Sequence, residues 1–173
     1  MSTFLITAGH SNTDPGAVAN GYTEADIVTE MRNIVAYKLR QLKHTVVTDG
    51  NMSDNKSLTT AISLFNNNQK YKIEFHCNAS SSPSANGTEC ISLPKDKATA
   101  QSISKAISSV LNTKLRGEGG WIDQSKSQHQ RLAYVSNGGI IVELFFLTNK
   151  TELDLYQAKK RLVAEAIVQV LTT

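Results

Sequence analysis

Two histidines and two glutamates carry the strongest chemical signal in this sequence. His10 follows an apolar run in Thr7-Ala-Gly-His10, and His76 closes another in Phe75-His-Cys-Asn-Ala79. Glu24 opens a helical pattern just after a turn-rich loop that contains Asp14-Pro-Gly-Ala17. Two imidazoles thus leave the carboxyl ends of strands, and one carboxylate stands on the helix reached from the first of them. Two His and one Glu with an open fourth position form a common catalytic zinc set. An ion held there acidifies bound water and polarises a carbonyl oxygen, and the N/N/O donors favour zinc over other divalent ions. Each residue also has a plainer reading. A strand-end His is often a hydrogen-bonded structural residue, and a Glu at a helix start is favoured by the helix dipole. Their joint placement at one edge is what argues for a shared site.

Glu143 is harder to explain as structure. It interrupts Ile140-Ile-Val-Glu-Leu-Phe-Phe146, whose flanks suggest a strand buried on both faces. A buried, unpaired carboxylate costs several kcal/mol, so it must be paired, protonated or near a metal. A structural salt bridge is one solution; a general base that activates water and then protonates a leaving amine is the other. Glu74 shares a strand face with His76 and is a candidate to support it from behind, although an ion-paired or solvent-facing Glu would look the same. His44, which opens a strand, reads as structural. Asn78, Arg116 and His129 are the candidates for contacts to substrate. Arg116 precedes Gly117-Glu-Gly-Gly120 and could meet an anionic group, while His129 lies in a stretch of loop composition where a surface role is equally natural.

The elements that must position these residues alternate. Phe4–Ala8 reads as a short buried strand. The segment Glu24–Lys43 follows as a helix, with Ile27, Met31, Ile34, Val35, Leu39 and Leu42 at helical spacing and a Thr23/Asp26 cap. His44–Thr48 predicts a second strand, Ser57–Asn68 a short helix, and Lys72–Cys77 a third strand with Ile73, Phe75 and Cys77 opposite Glu74 and His76. Glu89–Ser92, a helix over Thr99–Asn112, the apolar strand Gly139–Leu147 and a last helix to about Leu171 complete the series. Asn149 and Glu152 are spaced as a capping box for that last helix. Strands separated by such helices predict an α/β domain with a mostly parallel sheet flanked by helices on both faces. Active sites in such sheets lie at the carboxyl ends of the strands.

The 173 residues suit one domain, expected over 1–173, with no repeat and no linker to a second module. Net charge is +3, but Lys and Arg are scattered and no nucleic-acid motif is present, so nucleic acid is excluded as a partner. No apolar run approaches the ~20 residues of a membrane span, so membrane insertion is excluded as well. The N-terminus lacks the basic region of a secretion signal. Cys77 and Cys90 allow at most one disulfide and fit no metal knuckle, so both are expected to be buried thiols.

These residues resemble a known family. Ala8-Gly-His10 with Asp14-Pro-Gly-Ala17, Thr23-Glu24, Phe75-His-Cys-Asn-Ala79, Gly87-Thr-Glu-Cys-Ile91 and Val142-Glu-Leu-Phe-Phe-Leu-Thr-Asn149 are similar, in order, to the motifs of the zinc amidases called amidase-3. The resemblance spans nearly the whole chain. It implies a twisted six-stranded sheet, one zinc ion on His10, Glu24 and His76, and Glu143 as catalytic acid/base. It also implies cleavage of the lactyl amide between N-acetylmuramic acid and L-alanine in peptidoglycan. Ser11 and Phe145 stand where the family usually has Gly, beside the site, and the Arg common before the third strand is missing around Leu64-Phe-Asn-Asn67. A phage or prophage endolysin follows as the expected role: a monomer kept in the host cytoplasm until a membrane-permeabilising partner lets it reach the cell wall. The competing readings are a zinc peptidase cutting within the stem peptide and a non-catalytic wall-binding module.

Overall fold

The computed structural model describes every residue except His129. In chain order its elements are β1 (Thr3–Ala8), β2 (Val18–Ala19), β3 (Tyr22–Thr23), α1 (Glu24–Gln41), β4 (Thr45–Thr48), α2 (Leu58–Ser63) and β5 (Gln69–Asn78). Then come β6 (Glu89–Ser92), α3 (Lys97–Leu111), β7 (Trp121–Asp123), α4 (Ala133–Ser136), β8 (Ile140–Phe146) and α5 (Lys150–Thr172). Six strands form one sheet in the order β4-β1-β5-β8-β6-β7, while β2 and β3 make a separate two-stranded ribbon. All pairs in the large sheet are parallel except β6 against β8. The expected mostly parallel α/β sheet is therefore what forms. Its sixth strand, β7, is three residues long, too short to show a periodic pattern.

The two faces of the sheet are covered unequally. The long helices α1, α3 and α5 pack together over one face, against Phe4, Ile6, Ile73, Phe75, Ile140 and Val142. In α1 the buried stripe is Ile27, Val28, Met31, Val35 and Leu39, each worth about 1.5–3 kcal/mol when withdrawn from water. The other face carries only the short helices α2 and α4, which contribute Ala61, Tyr134 and Val135 to a small cluster with Ile91 and Ile141. Strand alternation sends Glu74, His76 and Glu143 to this thinly covered face. One face builds stability, and the other leaves room for chemistry.

Three expectations change in detail. The helix predicted over Ser57–Asn68 stops at Ser63, because the Asn-rich end turns on itself: Asn66 Oδ1 accepts from Asn68 N–H, and Gln69 donates to the Leu64 carbonyl. The capping box at α5 is only half formed. Asn149 Oδ1 accepts from the N–H groups of Thr151 and Glu152, but Glu152 does not return the bond. Its buried carboxylate instead accepts from Gly87 N–H at 2.8 Å, Phe146 N–H at 2.9 Å and the Thr113 hydroxyl. It thus ties the end of β8 to the segments before β6 and after α3. Finally, Phe145, which takes a usual glycine position, packs into the main core under the long helices and stacks on Tyr156.

Glu152→Ala strands those three donors at about 1 kcal/mol each, about 3 kcal/mol together. The melting temperature of a chain this size should then fall by about 6–12 °C. A shift below about 2 °C in a thermal melt would show that the clamp contributes nothing.

Candidate metal centre

His10, Glu24 and His76 meet on the open face at the carboxyl ends of β1 and β5. His10 Nε2 lies 2.9 Å from Glu24 Oε1, and His76 Nδ1 lies 3.1 Å from the same oxygen. One donor atom from each residue falls within a 4.8 Å cluster, the one such group of three or more among the described residues. The outward nitrogens are also held by carboxylates: His10 Nδ1 is 3.0 Å from Asp14 Oδ2, and His76 Nε2 is 3.1 Å from Glu74 Oε1. A carboxylate behind each imidazole is the arrangement that fixes the tautomer of metal-binding histidines. Glu24 is fixed in turn by the Cys77 and Ala17 N–H groups, at 2.9 and 3.1 Å.

The local backbone explains why this sequence converges here. His10 adopts φ 67°, a left-handed conformation in which side chains other than Gly are uncommon. It is pinned on both sides. Gly9 N–H donates to the Phe75 carbonyl at 2.9 Å, and Asn55 Nδ2 donates to the Gly9 carbonyl at 2.8 Å. Two glycines are required by close approach. A Cβ on Gly9 would sit 2.2 Å from the His76 ring, and one on Gly16 would lie 2.6 Å from His10 and 2.8 Å from Glu24. The Asp14-Pro-Gly-Ala loop is therefore a wrap around the ligand pair. Ser11 needs no left-handed backbone, so a serine fits there without strain.

Charge is strongly coupled at the centre. Burial alone would lower the His76 imidazole, but the Glu24 and Glu74 carboxylates push it well above its ordinary value. His10 moves up against the same burial cost because of Glu24 and Asp14. Burial would raise Glu24, but the two imidazoles against it and the Cys77 N–H hold it well below the usual carboxylate range. Burial pushes Glu143 the other way, up to about 7.

Glu143 pairs with His76 in the register of β5 and β8. With the three clustered residues it lines a cavity of about 470 Å³, whose lining also includes the apolar Leu58, Ile91, Leu132 and Ile141. Its Oε2 is buried without a hydrogen-bond partner, and Glu143 forms no salt bridge among the described residues. His10 Nε2 is likewise buried without a hydrogen-bond partner, because its 2.9 Å contact to Glu24 is not a hydrogen bond in direction. An imidazole nitrogen and a carboxylate oxygen in contact, with no proton shared between them, fit a cation between them. The residues suit a zinc ion.

Comparison with known proteins agrees with this geometry. The family model for N-acetylmuramoyl-L-alanine amidases, amidase-3, matches residues 4–173. The chain belongs to the amidase-3 family. A structure from Neisseria meningitidis, assigned as an N-acetylmuramoyl-L-alanine amidase, is 42% identical, covers 99% of this chain and 94% of its own, and superposes with a TM-score of 0.90. AmiC2 of Nostoc punctiforme shares the fold at 22% identity, with a TM-score of 0.84 and coverage of 99% and 95%. A Staphylococcus aureus protein assigned as autolysin PH is 28% identical over 94% of this amidase-3 chain. The chain spans 37% of that relative's length.

Asn78 and Arg116 fall outside the cavity. Asn78 Nδ2 donates to Glu89 Oε1 at 3.1 Å, and Arg116 Nε donates to Glu89 Oε2 at 2.6 Å. The Arg116 guanidinium also lies 4.8 Å from the centre of the Phe146 ring. Buried Glu89 faces Glu143 across β6 and β8, so this trio sits one strand beyond Glu143. His129 lies outside the described residues. Sequence reasoning missed Asp14 as the partner of His10, although the i, i+4 spacing was visible. It also missed Glu89 as the residue joining Asn78 to Arg116. Cys77 and Cys90 are free and buried, as expected, and burial pushes both thiols up, Cys90 to about 12.

Proposed function

We propose that this chain hydrolyses the amide between N-acetylmuramic acid and L-alanine in peptidoglycan, with one zinc ion held by His10, Glu24 and His76 and with Glu143 as acid/base. The observation that carries the reading is the convergence of His10, Glu24 and His76 beside an unpaired Glu143, in a chain of this family. When bound, zinc supplies Lewis acidity, drawing electron density from a carbonyl oxygen and acidifying water. The protein does the rest. Asp14 and Glu74 hold the imidazoles with their ligand nitrogens inward. Glu143 takes a proton from the water that attacks the amide carbon and returns it to the departing L-alanine nitrogen. The apolar part of the lining, Leu58, Ile91, Leu132 and Ile141, limits competing water. On the far side of Glu143, Arg116 and Asn78, braced by Glu89, are placed to meet the carboxylate-bearing stem peptide. Delivery to the wall belongs to the same proposal, by way of a partner that permeabilises the membrane.

Loss of a ligand tests the metal assignment. His76→Ala should bring zinc content well below one ion per chain by elemental analysis, and activity should fall with it. A fully metallated His76→Ala protein would remove His76 from the ligand set. The bond itself is tested by end-group labelling of digested wall. New amino groups should belong to L-alanine, without new reducing sugar ends; amino groups of another residue would contradict the assignment.

A further inference from the structure

We propose that a second cleft, beside the metal centre, binds the uncharged N-acetylhexosamine glycan strand, so that sugar and peptide leave the scissile amide in opposite directions across the sheet. The proposal rests on the amidase reading and extends it. The cleft holds about 560 Å³, within the range of ligand sites. It lies between the loop after β1, the first turns of α1 and the loop after β4. Ser11 lines both this cleft and the catalytic cavity, so the two are adjacent.

The lining selects a polyol. It includes Ser11, Asp26, Thr29, Ser53, Asp54 and Asn55, with no lysine, arginine or aromatic ring among the described residues. Hydroxyls and amides both donate and accept, and carboxylates accept strongly from sugar hydroxyls. An anionic peptide would meet two carboxylates and no cation on the lining. A bound cation fits no better. Asp26 is already engaged with the Thr23 hydroxyl at 2.7 Å, and Asp54 with Asn12 and Lys56 at 2.8 and 3.0 Å. Neither belongs to a convergent ligand cluster. A second observation points to a ligand. Asn55 is only 3% exposed, yet its Oδ1 is buried without a hydrogen-bond partner among the described residues.

Strand order then sets direction. The cleft belongs to the β4 and β1 side of the sheet, and Arg116 with Glu89 belongs to the β6 side, with His76 and Glu143 on β5 and β8 between them. The lactyl carboxyl of the muramic sugar is consumed in the scissile amide, so the glycan is neutral there, whereas the peptide carries carboxylates. The cleft of hydroxyls, amides and two carboxylates therefore suits the uncharged glycan, and the guanidinium side suits the peptide.

The test is direct binding of a peptide-free N-acetylglucosamine tetramer to the intact, isotope-labelled protein, read by backbone amide shifts. At millimolar tetramer, shifts should cluster at Ser11–Thr13, Thr29 and Ser53–Asn55. The double variant Asp26→Asn/Thr29→Val should weaken binding about tenfold; if that variant loses its native spectrum, the exposed Asp54→Asn substitution should also weaken binding. No shifts, shifts confined to the Arg116–Phe146 side, or undiminished affinity in the folded variants would overturn the proposal. Failure of the amidase reading shows differently: the tetramer still binds in the cleft, but no peptides headed by L-alanine leave the wall.

Discussion

Glu143→Gln should lower turnover of peptidoglycan about a thousandfold, within the range for removal of a general acid/base, while the protein keeps its zinc. The substitution is nearly isosteric, so the apolar strand around it, with Val142 and Leu144 fully buried, should stay intact. The variant should melt no lower than the parent, because the wild-type carboxylate is buried with an oxygen unpaired and a neutral amide costs less there. Because Glu143 is assigned to proton transfer rather than to the metal, kcat and kcat/KM should fall together, the signature of an interaction made in the transition state. A variant within tenfold of normal activity would remove Glu143 from that role. Lost zinc would make it a ligand.

The second large effect lies away from the chemistry, in the Arg32–Asp49 pair. Both side chains are fully buried, with Arg32 Nη1 donating to Asp49 Oδ1 at 3.1 Å. The other Asp49 oxygen accepts from Ala8 N–H at 3.3 Å, two residues before His10, and Arg32 also donates to the Met52 carbonyl. The pair thus joins the helix that carries Glu24 to the strand that delivers His10. Asp49→Ala leaves a guanidinium buried without its partner and should cost about 3–5 kcal/mol. The urea midpoint should shift accordingly, with little change in slope. Replacing both residues by apolar ones of similar volume, Arg32→Met with Asp49→Leu, should recover much of that loss, since the pair itself is expensive to desolvate. A single variant within 1 kcal/mol of the parent would show that water reaches the site.

Much of this was legible in the sequence because the informative residues repeat or stand out. Helical spacing located α1 and α3, a capping pattern located α5, apolar runs located β1 and β8, and alternation located β5. A charged residue inside one such run singled out Glu143. The His10, Glu24 and His76 cluster was readable because all three follow or open recognisable elements, so the topology alone brought them to one edge. Other features depend on partners distant in sequence. Arg32 falls between Val28 and Val35 on the buried stripe of α1, but sequence analysis did not single it out, and nothing local marks Asp49 as its partner. Glu152 had the spacing of a capping box, and only the tertiary approach of Gly87, Thr113 and Phe146 shows where its carboxylate goes. Strand β7 and the β2–β3 ribbon are too short for any period to emerge. Arg116 and Asn78 were singled out individually, yet their common anchor on Glu89 follows from the pairing of β6 with β8.

Purified peptidoglycan digested with the zinc-loaded protein, with and without a chelator, and analysed by mass spectrometry tests the central claim most directly. Intact stem peptides beginning with free L-alanine, together with glycan stripped of peptide, should be released only without chelator and should return when zinc is restored. Peptide fragments released while alanine stays on muramic acid, or release that persists in chelator, would contradict the account.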